Sequence, residues 1–542
     1  MKRNKTKALH PNAPLRHADH PRPVTRRDFL RQGFISGSGM VMGASIFSLF
    51  ANPRQAQAAL SGDLTTLAGS IGCSLGGSGG VGKIPFICFD LAGGANIAGS
   101  NVLVGRDSQM DVLSTAGYSK LGLPGDQIPG LTEATPTATS NGDFTDTTLG
   151  LAFHSDSAFL RGILERAGPA LGNVNGAVIP ARSDNDTGNN PHNPMYGIAR
   201  AGAGGDVVTL IGSRNSDSGG NSMAPAMLID PKIRPTKVDR PNDVTGLVDT
   251  GNLTAILGPN DVVPVMESMA RISDKKLFRA NTGLDAMINN GADLVVKDLV
   301  RCGYLNAADI ADRFAGVDVD PANDTAIVGS TGIFNQAEFD GSDGQGNSRE
   351  FQKTASVMKM IVDGHSGAGT IAMGGYDYHT GDRSTGELRD LRAGRCIGAC
   401  LAYAAIRAQP LMIYVFSDGS LASNGTIDNS VNGRGKGVWT GDNSSTAASF
   451  FLVYNPGTPP QIINDGLITQ LQRQQIGWFR ADGSVDTASS PAANNVNLLV
   501  NTLLLNFMAL NGDRAGFEGL FPGHGLGNTT SVDNLVVFEP LA

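Results

Sequence analysis

The residues best suited to chemistry stand together in Gly369–Arg383, GTIAMGGYDYHTGDR, where Asp377 and His379 flank Tyr378. A short apolar run, Thr370-Ile371-Ala372-Met373, precedes them and ends in paired glycines. Such a run bounded by glycine is consistent with a buried strand, although periodicity alone does not separate it from a helix. In an extended chain successive side chains alternate, so Asp377 and His379 share one face and Tyr378 takes the other. A carboxylate and an imidazole leaving the C-terminal end of a strand lie where open α/β sheets hold ligands. Their oxygen and nitrogen donors suit Zn, Mn or Fe. The plainer alternative is an Asp that caps the next helix and a His bonded to backbone.

Other polar groups stand at expected strand ends. Ile84–Asp90 leads into Asp90-Leu91-Ala92-Gly93-Gly94-Ala95-Asn96, where glycines let backbone approach a ligand. Leu411–Phe416 leads into Ser417-Asp418-Gly419, and Trp439-Thr440-Gly441-Asp442-Asn443 precedes the run Phe450–Tyr454. Convergence of such groups on one edge is less expected by chance than any single motif. Gly76–Gly82 lacks the phosphate-loop pattern, since Ile84 follows Lys83, so no cofactor-binding loop is expected. The Asp340–Glu350 loop offers oxygen ligands for Ca but misses the spacing of a helix–loop–helix calcium site.

The elements that must position these residues follow from the apolar runs. Strands are expected over Ile84–Asp90, Gly176–Pro180, Val207–Ile211, Thr370–Met373, Leu411–Phe416, Phe450–Tyr454 and Leu535–Phe538. Helices are expected over Ser157–Ala167, Val262–Ala280, Leu284–Ile288, Leu294–Leu299, Ala307–Phe314, Glu350–Asp363, Glu387–Ala408 and Asn495–Met508. Strands alternating with helices predict a mainly parallel sheet covered on both faces, a three-layer α/β/α sandwich with long loop insertions.

The first 58 residues read as an address. Lys2, Arg3, Lys5 and Lys7 precede Thr25-Arg26-Arg27-Asp28-Phe29-Leu30, a twin-arginine export signal. An uncharged segment, Gly33–Ala51, and the small-x-small site Ala56-Gln57-Ala58 follow, so the mature chain is expected to start at Ala59 and to form a single domain over 59–542. The twin-arginine translocase is then a partner during export, and the location is periplasmic or secreted.

Ten basic and two acidic residues fall in 1–58, which leaves 32 basic against 48 acidic residues and a formal charge of −16 for the remainder. That balance argues against nucleic acid and anionic membranes, which need a basic footprint. No later segment approaches the length of a membrane span. The histidines outside 1–58 are His154, His192, His365, His379 and His524. Of Cys73, Cys88, Cys302, Cys396 and Cys400, an oxidising compartment permits Cys73 and Cys88 to close a loop. Cys396 and Cys400 are one helical turn apart and fit a packing role.

With these motifs in order, the chain resembles the DUF1501 family, exported proteins of the alkaline phosphatase and sulfatase superfamily. The family's Gly-Gly-Ala-Asp-Gly loop is matched by Gly93-Gly94-Ala95-Asn96-Ile97, and a helix-starting His by His154 in Phe153-His154-Ser155-Asp156. Its Ser-His-Phe is echoed by Pro191-His192-Asn193, and its Gly-Trp-Asp-Thr-His by Gly375-Tyr376-Asp377-Tyr378-His379. Its Ser-Glu-Phe-Gly becomes Ser417-Asp418-Gly419-Ser420, and its Thr-Asp-His-Gly becomes Gly441-Asp442-Asn443-Ser444. The resemblance implies an alkaline-phosphatase-like fold and metal-dependent hydrolysis of a small phosphate or sulfate ester.

Two departures narrow that expectation. Asn96 stands where the family has an acid and Asn443 where it has a histidine, and an amide carbonyl supplies neither charge nor imidazole nitrogen. Asp90, Asp377, His379, Asp418 and Asp442 remain as metal ligands, enough for at most one divalent ion (Zn, Mn or Ca). Ser100 and Ser417 are the candidate catalytic nucleophiles, with Ser155 nearby. None lies in Gly-x-Ser-x-Gly, and a cap or turn is the plainer role of each. The alternative function is a non-catalytic periplasmic or secreted binding or secretion-associated factor on the same fold.

Overall fold

The computed structural model describes residues 60–73, 82–183, 190–249, 259–287, 291–314 and 317–541. The expected signal segment and most of Gly76–Gly82 lie outside the described residues. Eleven strands are present among those described: β1 Phe86–Asp90, β2 Thr145–Leu149, β3 Leu151–His154, β4 Val174–Pro180, β5 Val208–Gly212, β6 Thr236–Lys237, β7 Ser366–Ala372, β8 Leu411–Phe416, β9 Leu421–Asp428, β10 Lys436–Asp442 and β11 Ala448–Tyr454. Seven of them form one sheet in the order β4-β11-β8-β1-β7-β5-β6. The neighbours from β8 through β6 are parallel, while β11 runs antiparallel to both β8 and β4. This is the mixed α/β architecture with a mainly parallel sheet that alternating runs predict.

The central strands are apolar throughout because both faces of the sheet are covered. β1 shows the division: Ile87 and Phe89 enter one buried cluster, Phe86 and Cys88 the other. The helices Ala158–Arg166, Ser348–Val362 and Ser384–Ile406 supply the first cluster, and Met195–Arg200 with Val496–Leu510 supply the second. Val496–Leu510 reads VNLLVNTLLLNFMAL, apolar on nearly all sides, and it is buried accordingly. Ala158–Arg166 and Ser384–Ile406 cross closely at glycines: a Cβ on Gly162 would meet Leu391 O at 2.3 Å, and one on Gly394 would meet Phe159 O at 2.2 Å. That crossing fixes the helix whose N-terminal turns lie under the candidate site.

Several expectations are corrected. Leu535–Phe538 is not a strand; Asn506 of the neighbouring helix bonds Leu535 O and Val537 N, and Phe538 makes only an isolated antiparallel bridge with Ile462. Leu294–Leu299 and Ala307–Phe314 are parts of one helix, Ala292–Arg313. Cys73 pairs with Cys302, 229 residues away, rather than with Cys88. Cys88 is unavailable to it because it lies buried inside β1, with its thiol against Thr370 Oγ1. Cys396 and Cys400 are buried in the core, as packing requires.

Candidate functional site

Parallel pairing aligns the strand ends that carry the candidate residues. Asp90 is opposite Ala372 of β7 on one side and Phe416 of β8 on the other. Neighbouring strands are about 4.8 Å apart, so Asp90, the segment after β7 and the segment after β8 leave the sheet at one edge. β7 stops at Ala372, but the chain beyond it stays extended and keeps the period of two. Tyr376 and Tyr378 are buried, Asp377 is exposed and His379 half-buried. The tyrosines are anchored: Tyr376 donates to Arg389 O at 2.9 Å, and Tyr378 donates to Asp390 Oδ1 at 3.0 Å while accepting Asn96 N–H at 2.9 Å. Two buried rings therefore hold a carboxylate and an imidazole outward.

The third member comes from the β9–β10 hairpin, two strands that the apolar runs do not predict. Asp442 pairs with Leu421 at the end of this hairpin, whose buried Leu421 and Trp439 seat it on the body. His379 Nε2 lies 2.6 Å from Asp377 Oδ1 and 3.5 Å from Asp442 Oδ1. Among the described residues this is the one group of three or more such side chains able to hold a metal ion, with donor atoms within 4.8 Å of one another. The glycine pair after β1 lets the loop pass beneath. Gly93 and Gly94 have φ of 123° and 120°; a Cβ on Gly93 would meet Asp377 N at 2.7 Å, and one on Gly94 would lie 3.8 Å from Asp442 Oδ1.

Asp90 and Asp418 share this edge but point into the protein. Asp90 is fully buried and accepts Asn221 N–H at 2.7 Å, Ser222 N–H at 2.8 Å and the Ser222 hydroxyl at 3.0 Å. Burial pushes its pKa up to about 6, against the Ser222 bonds that favour the ionised form. Asp418 accepts Gly93 N–H at 2.8 Å, and burial raises it too. Sequence reasoning missed Asn221 and Ser222 as partners of Asp90. They follow the paired glycines Gly219-Gly220, the sequence signal for a backbone that approaches closely.

The candidate serines are engaged. Ser417 Oγ donates to Leu91 O at 2.7 Å and accepts Gly94 N–H and Ala95 N–H at 3.2 and 2.9 Å. Ser100, also buried, donates to Asn96 Oδ1 at 2.5 Å and accepts from Arg383 Nη2 at 2.8 Å. Ser155 donates to Glu133 Oε1 at 3.0 Å. Asn96 is buried in this network, and the Asn443 side chain accepts Ser445 N–H at 3.0 Å as a turn cap. His154 accepts Asp156 N–H on Nδ1 and so donates from Nε2 to Gln127 O at 2.8 Å; burial pushes it down to about 4. His192, stacked on Phe416 with its Nε2 3.0 Å from Ser183 Oγ, is pushed by burial to about 3. In the Asp340–Glu350 loop, Asp340 and Asp343 accept the N–H groups of Ser342 and Gln345 and so close turns.

No protein-family model, no curated protein and no solved structure matches this chain.

Proposed function

We propose that the chain is an exported, DUF1501-type protein that holds one divalent metal ion on Asp377, His379 and Asp442 and acts weakly on small phosphate or sulfate esters. The observation that carries this reading is the convergence of two carboxylates and one imidazole, from separate elements, at the C-terminal edge of a mainly parallel sheet. The donor set fits an ion such as Zn or Mn. Ligands about 2.1 Å from a tetrahedral ion lie roughly 3.4 Å apart, which the His379–Asp442 separation of 3.5 Å already meets. Asp377, at 2.6 Å from His379, has to swing outward, and its side chain is 55 % exposed and free to do so. The chemistry such an ion supplies is Lewis acidity toward a phosphoryl or sulfuryl oxygen. Asp90 and Asp418 turn inward, and Asn96 and Asn443 serve internal bonds, which supports a single ion on an alkaline-phosphatase-like frame.

The Cys73–Cys302 bond supports export to the periplasm or beyond, since disulfides persist in oxidising compartments. The occupied hydroxyls of Ser100 and Ser417 favour a second reading, a non-catalytic binding or secretion-associated factor. Turnover of nitrophenyl phosphate and nitrophenyl sulfate with added Zn²⁺ or Mn²⁺ separates the two. Slow, metal-dependent hydrolysis lost in Asp442→Asn is expected. Metal binding with no hydrolysis selects the second reading, and fast hydrolysis with two ions per chain contradicts the single-ion site.

A further inference from the structure

A helical arm stands apart from the sheet. Pro259–Arg279 and Ala292–Arg313 pack antiparallel, and Arg301 Nε to Asp274 Oδ1 (2.8 Å) with Thr282 N to Asp293 Oδ1 (2.9 Å) set their ends side by side. Their buried apolar residues, including Met266, Ala270, Leu305 and Ala308, lie at the base, where Gly62–Ser70 joins them and the Cys73–Cys302 bond fixes the contact. The tip is different. Phe278 is 81 % exposed, Val295 60 % and Leu294 58 %, with Leu299 and Ile272 exposed beside them. Among the described residues, the exposed large apolar side chains on these two helices near the tip include Ile272, Phe278, Leu294, Val295 and Leu299.

Arg271, Lys297 and Arg301 each meet acids, Lys297 with Asp293 at 2.6 Å and Arg301 with Asp298 at 2.7 Å. Asp285 accepts the N–H groups of Gly291 and Asp293. Lys275, Lys276 and Arg279 are exposed and make no ion pair among the described residues. An unpaired basic trio around an exposed phenylalanine is conspicuous in a chain of formal charge −8.

We propose that this tip docks on an anionic lipid surface, seating Phe278, Leu294 and Val295 among the headgroups while Lys275, Lys276 and Arg279 meet lipid phosphates. Charge complementarity selects the sign of the partner locally: Lys275, Lys276 and Arg279 supply at this tip the basic footprint that the overall balance of residues 59–542 lacks. Protein interfaces are depleted in lysine, whereas lysine stems at a bilayer lie along apolar surface with the ammonium in water. No described helix is long and apolar enough to cross a membrane, so the contact is peripheral. None of the candidate metal ligands belongs to the arm.

Co-sedimentation of the full chain with phosphatidylcholine vesicles, with and without about one third phosphatidylglycerol, tests this. The basic residues of 1–58 give a background common to every variant, so the readout is the difference between variants. Partitioning to the anionic vesicles should fall about fivefold per neutralised cation, hence about a hundredfold in Lys275→Gln/Lys276→Gln/Arg279→Gln, and should weaken with salt. Phe278→Ser/Val295→Ser should lose binding comparably. All positions are exposed, so the disulfide and thermal midpoint should be unchanged, which separates lost docking from lost folding. Variants that partition like the parent overturn the proposal. So does a concentration-dependent dimer abolished by Phe278→Ser with vesicle binding intact, which would make the tip a protein interface.

Discussion

Two polar groups that share the stretches 377–387 and 436–442 have opposite characters. In the buried one, Glu387 takes Arg161, Arg383 and Lys436 at 2.6, 2.9 and 3.0 Å, and Lys436 also reaches Asp156 at 3.2 Å. Arg383 stacks over Trp439 at 4.5 Å, joining the hairpin to the helix. Burial pushes Glu387 upward, but the three cations together outweigh it and hold it below the usual carboxylate range. In the outer group, Asp377, His379 and Asp442 meet only one another among the described residues. Buried charges must be partnered to be tolerated, whereas exposed ones lose little without partners. The inner group therefore ties the β9–β10 hairpin to the helix, and the outer group makes no such tie.

The contrast can be broken at its strongest point first. Glu387→Gln leaves Lys436 and Arg383 short of a buried counter-charge and should destabilise the fold by about 3–5 kcal/mol in urea unfolding. A cost under about 1 kcal/mol would mean that the inner network is not what seats the hairpin.

The next effect is a pH slope. Burial raises Asp390 from 3.8 to about 7, so its contribution to stability is full below pH 3.8 and is lost as pH rises toward 7. Asp90, at about 6, acts in the same direction. His154 and His192, depressed to about 4 and 3, act oppositely and lose stability as pH falls below 6.5. Asp390→Asn removes one downward component, so its stability relative to the parent should climb between pH 4 and 7, by roughly 2–4 kcal/mol. A pH-independent difference would show that Asp390 does not titrate in this window.

Smaller again is Ser417→Ala, which strands the N–H groups of Gly94 and Ala95. It should cost about 1–3 kcal/mol while leaving metal affinity within a fewfold of the parent. Unchanged stability with ester turnover abolished would instead make Ser417 a nucleophile.

What could be read in the sequence follows the same division. β1, β7, β8 and β11 were legible because strands buried on both faces are continuous apolar runs between turn residues. β9, LASNGTID, was not, because it is a partly exposed hairpin strand with Asn and Gly in its middle. With β9 and β10 unread, Asp442 stood only as a polar residue preceding the run Phe450–Tyr454, and the hairpin that carries it was not foreseen. Asp377 and His379 were legible from alternation alone. The inward turn of Asp90 and Asp418 was not, since it depends on Ser222 and Gly93, which are distant from them in sequence. The Cys73–Cys302 pair spans 229 residues, and no local spacing encodes it.

The most direct test is metal titration of the folded chain, with and without His379→Ala. A half-buried imidazole that meets, among the described residues, only Asp377 and Asp442 should be dispensable for stability, within about 0.5 kcal/mol, yet indispensable for an ion held by three side chains. The expected result is one Zn²⁺ or Mn²⁺ per chain in the parent and none in His379→Ala at an unchanged unfolding midpoint. Full metal content in His379→Ala would contradict the site.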